Sequence, residues 1–117
     1  KNHPEEYQRN MAKQYIDAGA DLVVGSHPHV LQGIEYYKDK PIIYSLGNFM
    51  FYNSIPQTAL LKVTLQEENI KVNLLPAKAE NGKTLLIEDS KEMQKFYKYM
   101  TDISYGVTFD KAGNISY

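Results

Sequence analysis

Hydrophobic and polar positions along this chain repeat with two different periods. Tyr7, Met11, Tyr15 and Ala18 recur at helical spacing and predict one apolar stripe. Pro4, Glu5 and Glu6 mark the helix start, because proline fits a first turn and acids suit the positive end of the helix dipole. Gly19 is the expected stop, in the left-handed conformation that ends many helices. Leu22-Val23-Val24 then runs without a polar break into Gly25. A helix, a glycine turn and a short β-branched run predict an αβ unit with a buried parallel strand.

The period then changes to two. Ile34 and Tyr36 alternate with Glu35 and Tyr37, Asp39-Lys40 reads as a turn, and Pro41 opens a strand over Ile42 to Leu46. This pair predicts a β-hairpin. Gly47-Asn48 breaks the pattern, Phe49 to Tyr52 resumes it, and Ser54 to Gln57 reads as a loop around Pro56. Leu60 to Leu65 and Ile70 to Leu75 form a second expected hairpin through Gln66-Glu67-Glu68-Asn69. Asn81-Gly82 is a turn signal. Ser90 is the expected cap of a last helix through about Asp102, with Met93, Phe96, Tyr97 and Met100 as its stripe. Val107 to Phe109 and Ile115 to Tyr117 flank a turn and predict a final small hairpin.

The fold class is therefore α/β, as an α+β fragment: one αβ unit, then β-hairpins, then a C-terminal helix. With 117 residues and no internal repeat the chain is one domain or part of one. Leu22 to Val24 needs a parallel neighbour, and no second αβ unit supplies it. The expectation is a single partial domain over 1–117, the C-terminal part of a larger α/β domain. Residues 1–80 would be its later half, and residues 81–117 a C-terminal helix and small hairpin.

Composition narrows the partners. The formal charge is −1, from 13 Lys+Arg against 14 Asp+Glu, without a basic stripe, so no nucleic-acid partner is expected. Arg9 is the sole arginine among those 13 basic residues, which argues against an arginine-built anion clamp. There is no cysteine, hence no disulfide and no thiolate metal site. No apolar run reaches the ~20 residues of a membrane span, and no signal peptide is present. The chain starts at Lys1, which suits a processed or excised piece.

The candidate chemistry sits in Gly25-Ser26-His27-Pro28-His29, at the end of the apolar strand. Two of the three histidines lie here. On extended backbone, residues i and i+2 point to one side, about 7 Å apart, and Pro28 biases His27 toward that geometry. Two imidazoles so placed suit one metal or a pair of ions, and ligands of α/β sheets bind beyond the carboxyl ends of the strands. The same spacing also fits a polar loop whose histidines cap backbone groups or meet solvent.

Glu35 follows closely and is a candidate catalytic residue, as a ligand or proton-transfer group at the same mouth; a solvated strand position is the other reading. Asp21 starts the strand at its far end and reads as a turn residue. His3 reads as a capping or surface residue. Gly47 suggests a bulge or a close backbone approach. Asn48 beside it would support that irregular backbone or contact the histidine loop. Ser45 has no histidine at a spacing that would make it a nucleophile.

The run from Gly19 to Phe51, which contains Gly-Ser-His-Pro-His-Val-Leu-Gln-Gly-Ile-Glu and Lys-Pro-Ile-Ile-Tyr-Ser-Leu-Gly-Asn-Phe, resembles the bacterial capsule-synthesis CapA/PgsA family. That family is related to calcineurin-like metallophosphoesterases, in which a late Gly-His-x-His motif supplies two metal ligands. His27 and His29 match those histidines, and Ser26 stands between Gly25 and His27 as in the capsule family's own version. The resemblance implies the later half of a metallophosphoesterase-like α/β/β/α sandwich, with the remaining site residues upstream. It implies catalytic roles for His27, His29 and Glu35, metal ligation by His27 and His29, and support from Asn48 and Ser26. The implied cofactor is a divalent metal: Mn, Zn or Fe. The implied role is poly-γ-glutamate capsule biosynthesis or export, with a phosphoester or polyglutamyl substrate. A non-catalytic scaffold in a capsule synthase complex is the alternative. Implied partners are the N-terminal part of the same domain and the membrane subunits of a capsule synthase, at a bacterial cell surface with the parent membrane-anchored. Unpaired sheet edges would also allow the fragment to form homo-oligomers.

Overall fold

The first helix forms where the pattern places it but turns a different face inward. In the computed structural model, which describes residues 2–26, 28–47 and 55–117, helix α1 runs Glu6–Asp17. Gln8 Oε1 accepts the Glu5 N–H at 2.7 Å at its start. Gly19, at φ +115°, turns the chain at its end. The expected stripe is exposed: Tyr7 is 61%, Met11 46% and Tyr15 54% accessible. Ala12 and Ile16 are buried instead. Arg9, Ala12, Lys13 and Ile16 are spaced i, i+3, i+4, i+7, so they too share one face. Two features select this face over the tyrosines. Ala12 lets the helix approach Ile42 and Tyr44 closely, and Arg9 finds an anionic partner on the sheet.

That sheet has three strands: β1 Val23–Val24, β2 Ile34–Tyr37 and β3 Lys40–Ile43. The order is β1-β3-β2. Strand β2 and β3 form the expected hairpin, but the turn is Lys38-Asp39, one residue earlier than the sequence suggests. Both take positive φ, 50° and 63°, the geometry that matches strand twist in a two-residue loop. Strand β1 does have a parallel neighbour: Val23 pairs with Ile42 and Val24 with Ile43. The returning arm of the hairpin supplies it, so a second αβ unit is not required to pair β1.

Both faces of this sheet are covered, which is why Ile34 and Glu35 are buried at adjacent positions. Helix α1 packs on the face of Ile42 and Tyr44. Ile34 and Ile43 face the larger core, with Ala59, Leu74, Phe96, Met100 and Ile103. This core joins the first sheet to a second, antiparallel one of β4 Ile55–Leu65, β5 Ile70–Glu80 and β6 Lys83–Leu86. The second hairpin is longer than expected, so Ile55 to Gln57 belong to strand rather than loop. Asn81 and Gly82, at φ 52° and 75°, turn β5 into β6.

Helix α2, Ser90–Ile103, buries Phe96, Tyr97, Met100 and Ile103. Its cap is Asp89 rather than Ser90: the Asp89 carboxylate accepts the Glu92 N–H at 3.0 Å. The final hairpin is β7 Thr108–Phe109 with β8 Ile115–Ser116. The expected strand over Phe49 to Tyr52 lies outside the described residues.

The segment after α2 protects the outer edge of β2. Tyr105 N–H donates to the Ile34 carbonyl at 3.0 Å, and Ser104 Oγ accepts the Ile34 N–H at 2.9 Å. An open edge would leave those groups unpaired. Ser104→Ala strands the Ile34 N–H at a position with 0% exposure. The expected loss is about 1–3 kcal/mol of folding stability, read from the urea midpoint.

Candidate functional site

The histidine loop leaves the carboxyl end of β1. Gly25 starts it, and its N–H donates to the Ile43 carbonyl at 2.8 Å. A Cβ at Gly25 would land on the Tyr44 carbonyl oxygen, so only glycine lets the loop lie this close to the strand behind it. At the other end, Leu31 forms an antiparallel bridge with Leu46. Gly47, at φ +72°, packs its backbone against Val30 and Leu31. The close backbone approach expected of Gly47 is observed. The loop is thus pinned at both ends by residues 43–47.

Within the loop the expected extended geometry does not hold at His29. Its φ is +60°, and its N–H reaches back to the Ser26 carbonyl at 3.4 Å. The chain turns at His29 rather than continuing as a strand there. A left-handed backbone at a non-glycine residue is uncommon and is often found at functional loops. The His29 side chain is exposed, as is Ser26. His27 and Asn48 lie outside the described residues. Beside the loop a cavity of about 350 Å³ opens between the end of β1 and strand β4, lined in part by Gly25, Ser26, Leu46, Gly47 and Ala59. Ser45 is fully buried and its Oγ accepts the Gly47 N–H at 3.1 Å, which makes it a support of this turn.

Glu35 is built into a charge network under the sheet. Arg9 grips it with two bonds, Nε to Oε2 at 3.2 Å and NH2 to Oε1 at 2.9 Å. Lys13 Nζ stands 3.5 Å from Oε1, and the Tyr44 hydroxyl donates to Oε2 at 2.7 Å. The Arg9 guanidinium lies over the Tyr105 ring, 4.1 Å from its centroid. Burial pushes the Glu35 carboxyl pKa up. The hydrogen bonds from Arg9 and Tyr44 and the charges of Arg9 and Lys13 outweigh that and hold it below the ordinary carboxylate value. Burial and the neighbouring Glu35 push the Tyr44 phenol up. Glu35 is therefore an ionised carboxylate that ties α1 to β2 and, through the Tyr44 hydroxyl, to the end of β3 against which Gly25 lies.

Asp21 pairs with Lys40 at 3.0 Å at the opposite end of the parallel pair, as its place in the sequence suggests. His3 is exposed, and its carbonyl accepts from Gln32 Nε2 at 3.3 Å. Among the described residues no three His, Asp or Glu side chains gather as a metal-ligand set. The described residues therefore do not form a complete metal site by themselves, and His27 is not among them. Arg9 is the residue that the sequence reading missed. Its signal was its uniqueness: one arginine in a lysine-rich chain, on a helix face shared with Ala12 and Ile16.

Replacing Glu35 with Gln removes the charge that compensates Arg9. Loss of one partner of a fully buried pair costs about 3–5 kcal/mol, but the Arg9 side chain is 33% exposed. The expected cost is about 1–3 kcal/mol at neutral pH. Because the Glu35 pKa is depressed, its contribution is fully present above the ordinary value of 4.5 and fades as pH falls through the lower folded value. The gap between wild type and Glu35→Gln therefore narrows in acid. Denaturant titrations at neutral and acid pH measure it.

Residues 1–53 match the family model described as bacterial capsule synthesis protein PGA_cap. The chain is 34% identical over 115 residues to "Capsule biosynthesis protein CapA" of Bacillus anthracis, a match covering 94% of this chain and 28% of that protein. That likeness continues past Leu75, further than the motif-rich run suggests. The chain is 56% identical over 50 residues to "PGA biosynthesis protein CapA" of Bacillus subtilis (strain 168), covering 43% of this chain and 13% of that protein. A Sinorhizobium fredii protein of uncharacterised function, y4sH, is 54% identical over 52 residues, 44% of this chain and 11% of that protein. The chain thus spans 28% or less of the length of these relatives. The match of its first 53 residues, with the αβ unit and the histidine loop, and its likeness to CapA proteins support membership of the bacterial capsule synthesis protein family PGA_cap.

Proposed function

We propose that this chain is part of a capsule-biosynthesis protein acting at the bacterial cell surface, and that the loop 25–29 is the part of it that meets substrate. One observation carries this reading. The loop holds His29 in a left-handed backbone at the carboxyl end of a parallel strand, pinned on both sides and beside a cavity. A loop with no role would not need both ends fastened to the segment behind it. The names of the two Bacillus relatives support the biosynthetic role.

In this reading His27 and His29 serve a divalent metal, Mn, Zn or Fe, whose further donors come from other parts of a longer polypeptide. Such a metal would activate water or polarise an oxygen of a phosphoester or polyglutamyl substrate. Asn48 and Ser26 support the loop. Glu35 enters as the group that fixes, through Tyr44, the end of β3 behind the loop. Among the described residues no helix is long and apolar enough to cross a membrane.

One observation favours a second reading, a non-catalytic scaffold that binds membrane subunits of a capsule synthase. Tyr7, Met11 and Tyr15 form an exposed stripe along α1. A contiguous apolar strip of this kind marks a contact surface. The N-terminal part of the same domain would cover it equally well.

The test is the double substitution His27→Ala and His29→Ala in the longer parent, with capsule polymer and bound metal both measured. The enzyme reading expects polymer output to collapse. It also expects metal affinity to fall by more than the ~10–100-fold that loss of an outer-shell partner costs. Full capsule output from the double variant would refute it and favour the scaffold.

A further inference from the structure

A second cavity, larger than the first, lies at the opposite end of the molecule's first sheet from the histidine loop. Strand β3 runs from Lys40, at this end, to Ile43, beside Gly25. The cleft has a volume of about 590 Å³. Three separate segments form it: the β2–β3 turn, the β4–β5 turn, and the end of β8.

Its chemistry is mixed in a particular way. Tyr36 and Tyr117 stack face to face in its wall, ring centroids 3.9 Å apart and planes within 9°. The half-buried ring of Tyr36 backs Tyr117, which is 65% exposed and offers a supported aromatic surface. Around it stand Asp39 and Glu68 as acceptors, Lys71 and Lys40 (the latter also paired with Asp21) as donors, and the amides of Gln66 and Asn69, which do both. The two acids balance the two lysines, and the chain's one arginine is spent on Glu35. A polyanion or a phosphate group would find no net positive charge and no bidentate donor here. A purely apolar ligand would find too many polar groups, each losing water without a partner.

We propose that this cleft binds a neutral saccharide, one sugar ring lying on Tyr117 and its hydroxyls bonded to the carboxylates, lysines and amides of the two turns. A sugar has an apolar face of C–H groups that suits an aromatic ring. Its hydroxyls both donate and accept, so they match a rim that mixes the two. The volume leaves room for more than one ring. Glu68, Asn69 and Gln66 belong to a turn that joins two eleven-residue strands and is closed by the Gln66 N–H donating to the Asn69 carbonyl at 3.0 Å. This site does not depend on the histidine loop or on the capsule reading.

The experiment is an NMR titration of the full chain, labelled on backbone amides and tyrosine rings. The probes are chitotriose and maltotriose, two neutral trisaccharides, with poly-γ-glutamate as the acidic competitor. The expected result is saturable shifts at Tyr36, Tyr117 and Asn69 with at least one trisaccharide at low millimolar concentration. Affinity should fall about tenfold or more in Tyr117→Ala, and also in Asn69→Ala, a surface change on a different segment. Each variant's amide spectrum reports whether its fold is intact. Absence of saturable shifts with both sugars would overturn the proposal. So would shifts confined to other surfaces, or binding of poly-γ-glutamate in the cleft in preference to either sugar.

Discussion

The buried carboxylate of Glu35 is the constraint on which the first half of this chain depends. A charge on a strand that is covered on both faces must be compensated, or it would be neutralised or the strand would unfold. Arg9, Lys13 and Tyr44 provide that compensation from two elements, α1 and the end of β3. This decides which face of α1 turns inward. It also decides the position of Tyr44, whose carbonyl is the surface against which Gly25 lies. Tyr105 closes the network by sitting under Arg9 while its N–H covers the edge of β2. One ion pair thereby joins the helix, the hairpin and the segment after α2.

The consequence for function is a division of labour along the sheet. The hairpin β2–β3 supplies both a partner for β1 and the two ends, Tyr44 and Gly47, that fasten the histidine loop. Rigid strands holding an irregular loop are the usual way a fold presents reactive side chains. At the far end, the same hairpin contributes Tyr36, Asp39 and Lys40 to an unrelated cleft. The second sheet contributes to both, since β4 borders the loop's cavity and the β4–β5 turn borders the cleft.

Much of this was legible in the sequence, and the failures have physical reasons. Glycine positions located the turns because they report backbone geometry directly: Gly19, Gly47 and Asn81-Gly82 all behave as expected, whereas the loop expected around Pro56 is strand. The apolar stripe of α2 was legible because Phe96, Tyr97 and Met100 have no rival face on that helix. On α1 two faces competed. Hydrophobicity favoured Tyr7, Met11 and Tyr15, while close packing and the Glu35 charge favoured Arg9, Ala12 and Ile16. That contest is settled by a residue 26 positions away, which local pattern cannot see. The partner of β1 was missed for a similar reason: hairpins are expected to pair with themselves, and β3 pairs on both sides. The histidine motif was visible as a motif, but its backbone turn at His29 was not, because spacing carries no information on φ.

Amide hydrogen exchange in Glu35→Gln, compared with wild type residue by residue, tests the central claim most directly. If the carboxylate holds the platform under the loop, exchange should speed up at Gly25, Tyr44 and Tyr105 together, while Leu74 in the second sheet keeps its protection. If Gly25 and Tyr44 keep wild-type protection in the variant, the network is a local ion pair. The loop would then owe its position to something else.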